Sequence, residues 1–390
     1  MSAPGEKPFL PFHRPAIGTE EIDAVAKTLA SGWLTSGPQV LEFESQFAER
    51  IGTRFAVAVN SCTAGLHLML DAIGIGEGDE VLVPTVTFAS TAATVLHAGA
   101  FPRLVDCDPV TLNIDVEDAA RKCGPRTRAV ISVHMAGHPC PMDEILTLAD
   151  RHRLQVLEDS AHALPASYQG RNAGSLGRAA AFSFYATKNL TTGEGGMVTT
   201  DDEGLRDLVA ARRLHGMSRD AWKRYTPGGA WRYDISYPGF KYNMTDPAAA
   251  MGLVQLGRLG AMQARRRALV ERYDKELSDV PEIELPVCLD GVESAWHLYV
   301  IRIRNECLSI DRDRVMELMK EAGIGTSVHF IPLHQHSHYR DALGYGDESF
   351  PNADAAADRI LSLPLFPDMT FDDVARVADA LSEILSAHRR

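Results

Sequence analysis

Between residues 55 and 200 the chain alternates short, continuous apolar runs with helical patterns, an order that few folds accommodate. The runs are Phe55-Ala-Val-Ala-Val59, Val81-Leu-Val83, Arg103-Leu-Val105, Ala129-Val-Ile-Ser-Val133, Gln155-Val-Leu157, Ala180-Ala-Phe-Ser-Phe184 and Met197-Val198. They do not alternate with polar residues, which is the pattern of strands covered on both faces. Between them lie helical stretches such as 142–152, where Ile145, Leu148 and Ala149 share one face. The βαβα order predicts an α/β fold with a mostly parallel central sheet and helices on both sides. Such sheets bind ligands beyond the carboxyl ends of their strands. The residues that follow each run are therefore the candidates for chemistry.

Residues 215–245 interrupt the alternation with Trp222, Tyr225, Trp231, Tyr233 and Tyr237 set among glycines and prolines. A long irregular segment in a compact enzyme is usually functional or disordered, and the aromatic content favours an ordered functional loop. Residues 246–277 then read as one long helix, with Asp246 as its cap and Pro247 at the first position. Beyond it come a strand at 298–302, a helix at 312–321, a strand at 327–330 and a last helix. In that helix Val374, Val377, Ala378, Leu381, Ile384 and Leu385 form one stripe. The expected division is a large α/β domain over 1–255 and a small α+β domain over 256–390, joined by the long helix.

Charge and composition exclude several classes of function. The 390 residues carry 39 Lys and Arg against 52 Asp and Glu, a net charge of −13, with 45% hydrophobic residues. That is globular composition, and the acidic balance argues against a nucleic-acid or anionic-membrane binder. The N-terminus has no apolar core suited to a signal sequence, and no apolar run approaches the ~20 residues of a membrane span. Cysteines 62, 107, 123, 140, 288 and 307 are scattered without a C-x-x-C pair, as reduced thiols are. A soluble cytoplasmic protein is expected.

The strand ends carry the chemistry. After Val59 comes Asn60-Ser-Cys-Thr-Ala-Gly65 and a helical pattern, which is either an ordinary βα turn or a helix N-terminus presenting N–H groups to a phosphate. Phe88, after the next run, suits the core or a flat face for a planar ligand. The run ending in Leu157 delivers Glu158-Asp159-Ser160-Ala161-His162. A carboxylate at the end of a buried strand requires a cationic partner, although Asp159 also fits a helix cap. After Phe184 come Lys188 and the glycine-rich turn Gly193-Glu-Gly-Gly196. Lys188 is either a solvated loop lysine or an amine whose pKa is lowered for Schiff-base chemistry. The order phosphate turn, aromatic plate, carboxylate, lysine favours the second reading.

With those motifs in place, the chain resembles the DegT/DnrJ/EryC1/StrS group of sugar aminotransferases, pyridoxal-phosphate enzymes of fold type I. The carriers are Gly32-Trp-Leu-Thr-Ser-Gly-Pro38, Asn60-Ser-Cys-Thr-Ala64, Gly78-Asp-Glu-Val-Leu-Val-Pro84, Glu158-Asp-Ser-Ala-His162, Phe182-Ser-Phe-Tyr-Ala-Thr-Lys-Asn189, Gly193-Glu-Gly-Gly196 and Gly239-Phe-Lys-Tyr-Asn-Met-Thr-Asp246. The resemblance implies that Lys188 holds the cofactor covalently and carries the proton, and that Asp159 pairs with the pyridine nitrogen. It further implies that Phe88 stacks on the ring, that His162 lies near the ring hydroxyl, and that Thr63, Ala64 and Ser183 hold the phosphate. Lys241 and Asn243 stand where many relatives have Asn and Arg. They resemble the branch acting at C4 of nucleotide-linked sugars, in which Asn243 would reach the neighbouring subunit's cofactor in a homodimer. Trp33, Thr35 and the 215–245 loop would line the sugar-nucleotide pocket, and His329 would face the substrate.

The activity implied is transfer of an amino group from L-glutamate to a nucleotide-linked keto sugar, a 4-keto-6-deoxyhexose, by way of pyridoxamine phosphate and with release of 2-oxoglutarate. Two alternatives stand beside it. A related deoxysugar dehydratase has His in place of the lysine, whereas Lys188 is present here, and a regulatory homologue would be non-catalytic. His334, His336 and His338 alternate on an irregular stretch, which does not define a metal site, and none is expected. The glycines of Gly74-Ile-Gly-Glu-Gly78 follow a helix instead of a strand, so they lack the context of a dinucleotide loop. Arg265, Arg266 and Arg267 read as a solvated helix face.

Overall fold

A computed structural model describes residues 8–217 and 234–390. Trp222, Tyr225, Trp231 and Tyr233 of the aromatic loop lie outside the described residues. Seven strands form the central sheet: β1 (Phe55–Val59), β2 (Glu80–Pro84), β3 (Phe101–Val105), β4 (Thr127–Val133), β5 (Gln155–Asp159), β6 (Ala179–Ser183) and β7 (Gly196–Thr200). Their spatial order is β1-β7-β6-β5-β4-β2-β3. Only β7 runs antiparallel to its neighbours, pairing with β1 on one side and β6 on the other. The remaining pairs are parallel, as continuous apolar runs require.

Among the described residues eleven α-helices surround the sheets: α1 (Thr19–Ser31), α2 (Pro38–Ile51), α3 (Cys62–Ala72), α4 (Ala89–His97), α5 (Val116–Lys122), α6 (Met142–His152), α7 (Glu203–Arg212), α8 (Asp246–Leu277), α9 (Arg312–Glu321), α10 (Pro351–Ala357) and α11 (Phe371–Ala387). Helix α3 lies against β6 and β7, and its Leu66, Leu68 and Met69 are fully buried. Burying side chains of this size contributes about 1.5–3 kcal/mol each. On the opposite face Phe43 and Phe47 of α2 meet Phe182 and Phe184 at ring separations of 5.0–5.4 Å. The sheet is thus anchored from both sides next to the strand ends of β6 and β7.

The long helix follows the predicted bounds, but its cap differs. Thr245 is the N-cap of α8, and Asp246 turns outward to a different helix. Its Oδ1 accepts from Gly37 N (2.7 Å) and Val40 N (3.1 Å), and Oδ2 from Gln39 N (3.2 Å), at the start of α2. That α2 end has Gly37 as N-cap and no side chain of its own to serve it, so the carboxylate comes from 206–209 residues away.

A second difference lies in the C-terminal part. No strand forms at 327–330: Ser327 makes only an isolated bridge to Ser362. The small sheet is instead Ile283–Glu284, Tyr299–Ile303 and Ile360–Leu363, all antiparallel. The apolar Ile360–Leu363 run pairs with the whole of 299–302, whereas the 327–330 segment faces the cavity described below. Leu269, Tyr273 and Leu277 of α8 pack with this sheet and α11, while Ala249 and Leu259 pack with α2. Tyr339, Tyr345, Phe350 and Ala353 return to the core around the central sheet. No helix among the described residues is long and apolar enough to cross a membrane.

Candidate active site

A cavity of about 360 Å³ opens at the carboxyl ends of the central strands. Thr63, Phe88, Asp159, His162, Ser183, Lys188 and His329 all line it, as do Ser61, Cys62, Thr87, His297 and Phe330. Residues separated by up to 269 positions, from Ser61 to Phe330, thus meet at one place.

Lys188 is half-buried, and desolvation lowers its amine pKa to about 8, partly offset by Cys62 and Asp159. Asp159 ends β5, and burial raises its carboxyl pKa. Hydrogen bonds oppose that shift: Thr91 Oγ1 donates to Oδ2 at 2.8 Å and Ala161 N to Oδ1 at 3.2 Å. The Cys62 thiol adds a longer contact to Oδ1 at 3.8 Å and is itself held protonated by burial. Just before Asp159, Glu158 accepts from Gly174 N, Leu176 N and Gly177 N and pairs with His134 Nε2 at 2.9 Å. Because Cys140 N donates to His134 Nδ1, the proton of that imidazole resides on Nε2, facing Glu158. This buried cluster fixes the end of β5 beneath the site.

His162 and His297 pack with ring centroids 4.4 Å apart and planes tilted by 39°, and Phe330 stacks over His162 at 5.8 Å. Burial, then the Lys188 charge, keeps His162 neutral, and its Nδ1 is buried with no hydrogen-bond partner. His329 donates to or accepts from Ser362 Oγ at 2.8 Å, and burial holds its pKa near 4. Phe88 is 61% exposed and so does not belong to the core, the plainer of its two readings.

The turn into α3 is built for close approach. Ser61 caps the helix by accepting from Ala64 N at 3.1 Å. Ala64 N–H is therefore engaged, and Ala64 faces the core instead of the cavity; Ser61, Cys62 and Thr63 take the lining positions. A side chain on Gly196 would stand 2.6 Å from Ser61 C and 2.7 Å from Cys62 N, so only glycine lets β7 pass this turn.

The remaining predicted residues gather elsewhere. Asn243 Nδ2 donates to Ser36 Oγ (2.9 Å), Lys241 Nζ to Asn243 Oδ1, and Trp33 Nε1 to Ser36 O (3.2 Å). Thr35 is exposed beside them. With Ser36, Asn243 lines a separate cavity of about 320 Å³. His334 is engaged at both nitrogens, with Thr85 Oγ1 (2.8 Å) and Asp354 Oδ1 (2.9 Å), and so bridges elements of the fold. Arg266, expected on a solvated face, is buried. Thr87, Thr91 and His297 carry no sequence signal of their own. Thr91 reaches Asp159 across 68 residues and His297 reaches Asn189 across 108, while Thr87 supports Thr91 from four positions away.

The residues fit pyridoxal 5′-phosphate. They supply a desolvated amine, a buried carboxylate, an unpartnered imidazole nitrogen, an exposed aromatic face and a helix N-terminus with Ser183 beside it. Fold and site together define a pyridoxal-phosphate-dependent transferase.

The comparisons carry the assignment further. Residues 15–382 match the model of the DegT/DnrJ/EryC1/StrS aminotransferase family, and the chain belongs to that family. It is 50% identical over 378 residues to the spore coat polysaccharide biosynthesis protein SpsC of Bacillus subtilis, covering 97% of each chain. Among solved structures, a sugar aminotransferase of Streptococcus pneumoniae in its PMP-form superposes with a TM-score of 0.92 at 33% identity, covering 97% of this chain and 99% of that one. DesI, solved in the presence of its TDP-sugar product, gives 0.88 at 34% identity, covering 99% and 95%. The protein is a sugar aminotransferase dependent on pyridoxal phosphate.

Proposed function

We propose that the enzyme transfers the amino group of L-glutamate to the ketone of a nucleotide-linked sugar, a 4-keto-6-deoxyhexose, for cell-surface polysaccharide or amino-sugar synthesis. The observation that carries this reading is the desolvated Lys188 amine, its pKa lowered to about 8, in one cavity with Asp159 and the α3 turn. The nucleotide sugar is supported by DesI and its TDP-sugar product, and the polysaccharide context by the description of SpsC.

Bound pyridoxal phosphate supplies an electron sink for the pair left when a proton leaves the substrate carbon. The protein's own groups do the rest. Lys188 Nζ takes the α-proton of glutamate in the first half-reaction and returns a proton to the sugar carbon in the second. Its lowered pKa lets one atom serve as base and acid near neutrality. Asp159, oriented by Thr91 and Ala161 N, would provide the negative charge that keeps the ring nitrogen protonated. Ser61, Cys62, Thr63 and Ser183 would hold the phosphate, Phe88 would cover the ring, and His162 would serve the ring hydroxyl. One site thus alternates between glutamate to 2-oxoglutarate and ketone to amine.

The cluster of Trp33, Thr35, Lys241 and Asn243 serves a neighbouring copy in a homodimer, with Asn243 toward the partner's cofactor phosphate. Its position outside the Lys188 cavity supports that reading. The test is incubation of the holoenzyme and glutamate with UDP-, GDP- and dTDP-linked keto sugars, followed by NMR of the product. An amine at C4 and stoichiometric 2-oxoglutarate are expected. A cofactor band that glutamate does not bleach would overturn the donor.

A further inference from the structure

A second cavity, of about 260 Å³, adjoins the first. Tyr185, Thr187, His297 and His329 line both, and from this shared wall the recess runs to His13 and Ser327. No carboxylate lines it. Its polar groups are imidazoles and hydroxyls, and the remainder is apolar, Phe12 and Leu363 included.

Arg266 on α8 lies close behind it, only 1% exposed. Nη1 donates to Leu365 O (2.9 Å) and Trp296 O (3.4 Å), and Nε is buried without an acceptor. Among the described residues no carboxylate forms an ion pair with this guanidinium. Burial lowers its pKa to about 10, which leaves it cationic at neutral pH. Its field extends into the recess: burial first, then Arg266, holds the His13 pKa near 4. His13 Nε2 is likewise buried and unpartnered. A buried cation with carbonyl neighbours alone is costly, and unpaired buried donors add to that cost. An anion placed in the recess gives that guanidinium a counter-charge across the Leu365 wall.

We propose that this recess receives a carboxylate of the amino-acid donor, with Arg266 as counter-charge and His13 and Ser327 at its walls. The inference rests on the donor being an amino acid, as argued above, and adds the place where its carboxylate is held. A keto sugar has no carboxylate to present there. The recess therefore anchors one of the two substrates that alternate at Lys188 and leaves the other free of it.

The test uses the holoenzyme and two variants, Arg266→Met and Ser327→Asp. Single-turnover bleaching of the cofactor band is followed with glutamate and with alanine. The return half-reaction is followed from the pyridoxamine form with dTDP-4-keto-6-deoxyglucose. In Arg266→Met the glutamate concentration for half-maximal bleaching should rise ~10–100-fold, the loss of one buried counter-charge, with the sugar dependence unmoved. Equal losses for alanine and glutamate assign the α-carboxylate to the recess; a loss confined to glutamate assigns the side-chain carboxylate. An unchanged glutamate dependence, or a shift in the sugar dependence instead, overturns the proposal. Should Arg266→Met not fold, Ser327→Asp decides: it puts a carboxylate in the recess, so donor binding should fall while the melting temperature rises. Undiminished donor binding in that variant is the contrary result. If wild-type enzyme is not bleached by glutamate, the donor assignment fails by itself. Calorimetric binding of glutarate, present in wild type and lost in Arg266→Met, then still tests the recess.

Discussion

Thr91 Oγ1 donates a 2.8 Å hydrogen bond to Asp159 Oδ2, and Thr87 Oγ1 lies 2.8 Å from Thr91 Oγ1. The pair of hydroxyls, on the loop and first turn of α4, points the carboxylate at the end of β5 into the cavity. Thr91→Val keeps the shape and removes the donor. We expect a folded enzyme with kcat reduced ~10-fold, since a hydrogen bond to a charged group is worth about 1.5–3 kcal/mol. Asp159→Asn, which removes the charge itself, should cost ~100-fold or more. Steady-state kinetics of the two variants check the order; equal activities would contradict the positioning role.

Lys188→Ala and Lys188→Arg should both abolish turnover, because neither leaves an amine that can lose a proton near neutrality. The cofactor band should shift to that of the free aldehyde. Near-normal rates in either variant would sink the mechanism.

The lowered pKa of Lys188 also sets a pH dependence. Only the neutral amine attacks a carbonyl, and desolvation brings its pKa to about 8. Reconstitution of apoenzyme with pyridoxal phosphate should therefore accelerate with rising pH and reach half its maximal rate near pH 8. The same shift bears on stability. Between pH 8 and the ordinary lysine pKa the unfolded chain holds one more proton than the folded chain, so this group favours folding increasingly as pH rises. A reconstitution rate still climbing steeply at pH 10 would show an unperturbed amine.

Gly196→Ala should damage the cofactor site without touching any polar group. The added carbon meets Ser61 C and Cys62 N below 2.8 Å, and Phe182 O at 2.7 Å, so either β7 or the start of α3 must shift. Overpacking of this kind costs about 1–3 kcal/mol. Urea unfolding should report that loss, and cofactor titration a weakened affinity. Wild-type affinity would mean that the turn does not hold the phosphate.

Asp246→Ala should destabilise through a helix that does not contain residue 246. The carboxylate serves three N–H groups at the start of α2, and losing a cap typically costs about 0.5–2 kcal/mol. Asp246→Asn should recover part of it. Thermal melts of the two variants test the ranking, and hydrogen exchange at Val40 locates the effect.

Much of this protein was legible in the order of its residues. Apolar runs mark strands by composition alone, so the seven-stranded sheet and the placing of Lys188, Asp159 and Phe88 after strand ends follow from local pattern. Local pattern failed where a role depends on a distant partner. Ser327 lies in a β-prone stretch, yet Ile360–Leu363 won the pairing with 299–302. Asp246 satisfies the rule for a cap, yet the unserved end of α2 was nearer to its carboxylate. Arg266 sits in a triple-arginine run that reads as solvated, and packing of α8 against the small sheet buried it. The sequence by itself determined the class of fold and the position of Lys188 just beyond a central strand, because hydrophobic periodicity and strand-end patterns are encoded within a few residues. Only the tertiary structure decided which side chains hold Asp159, which helix Asp246 caps, and that a buried cation stands behind the recess adjoining the Lys188 cavity. Those contacts join residues tens to hundreds of positions apart, and no local spacing specifies them.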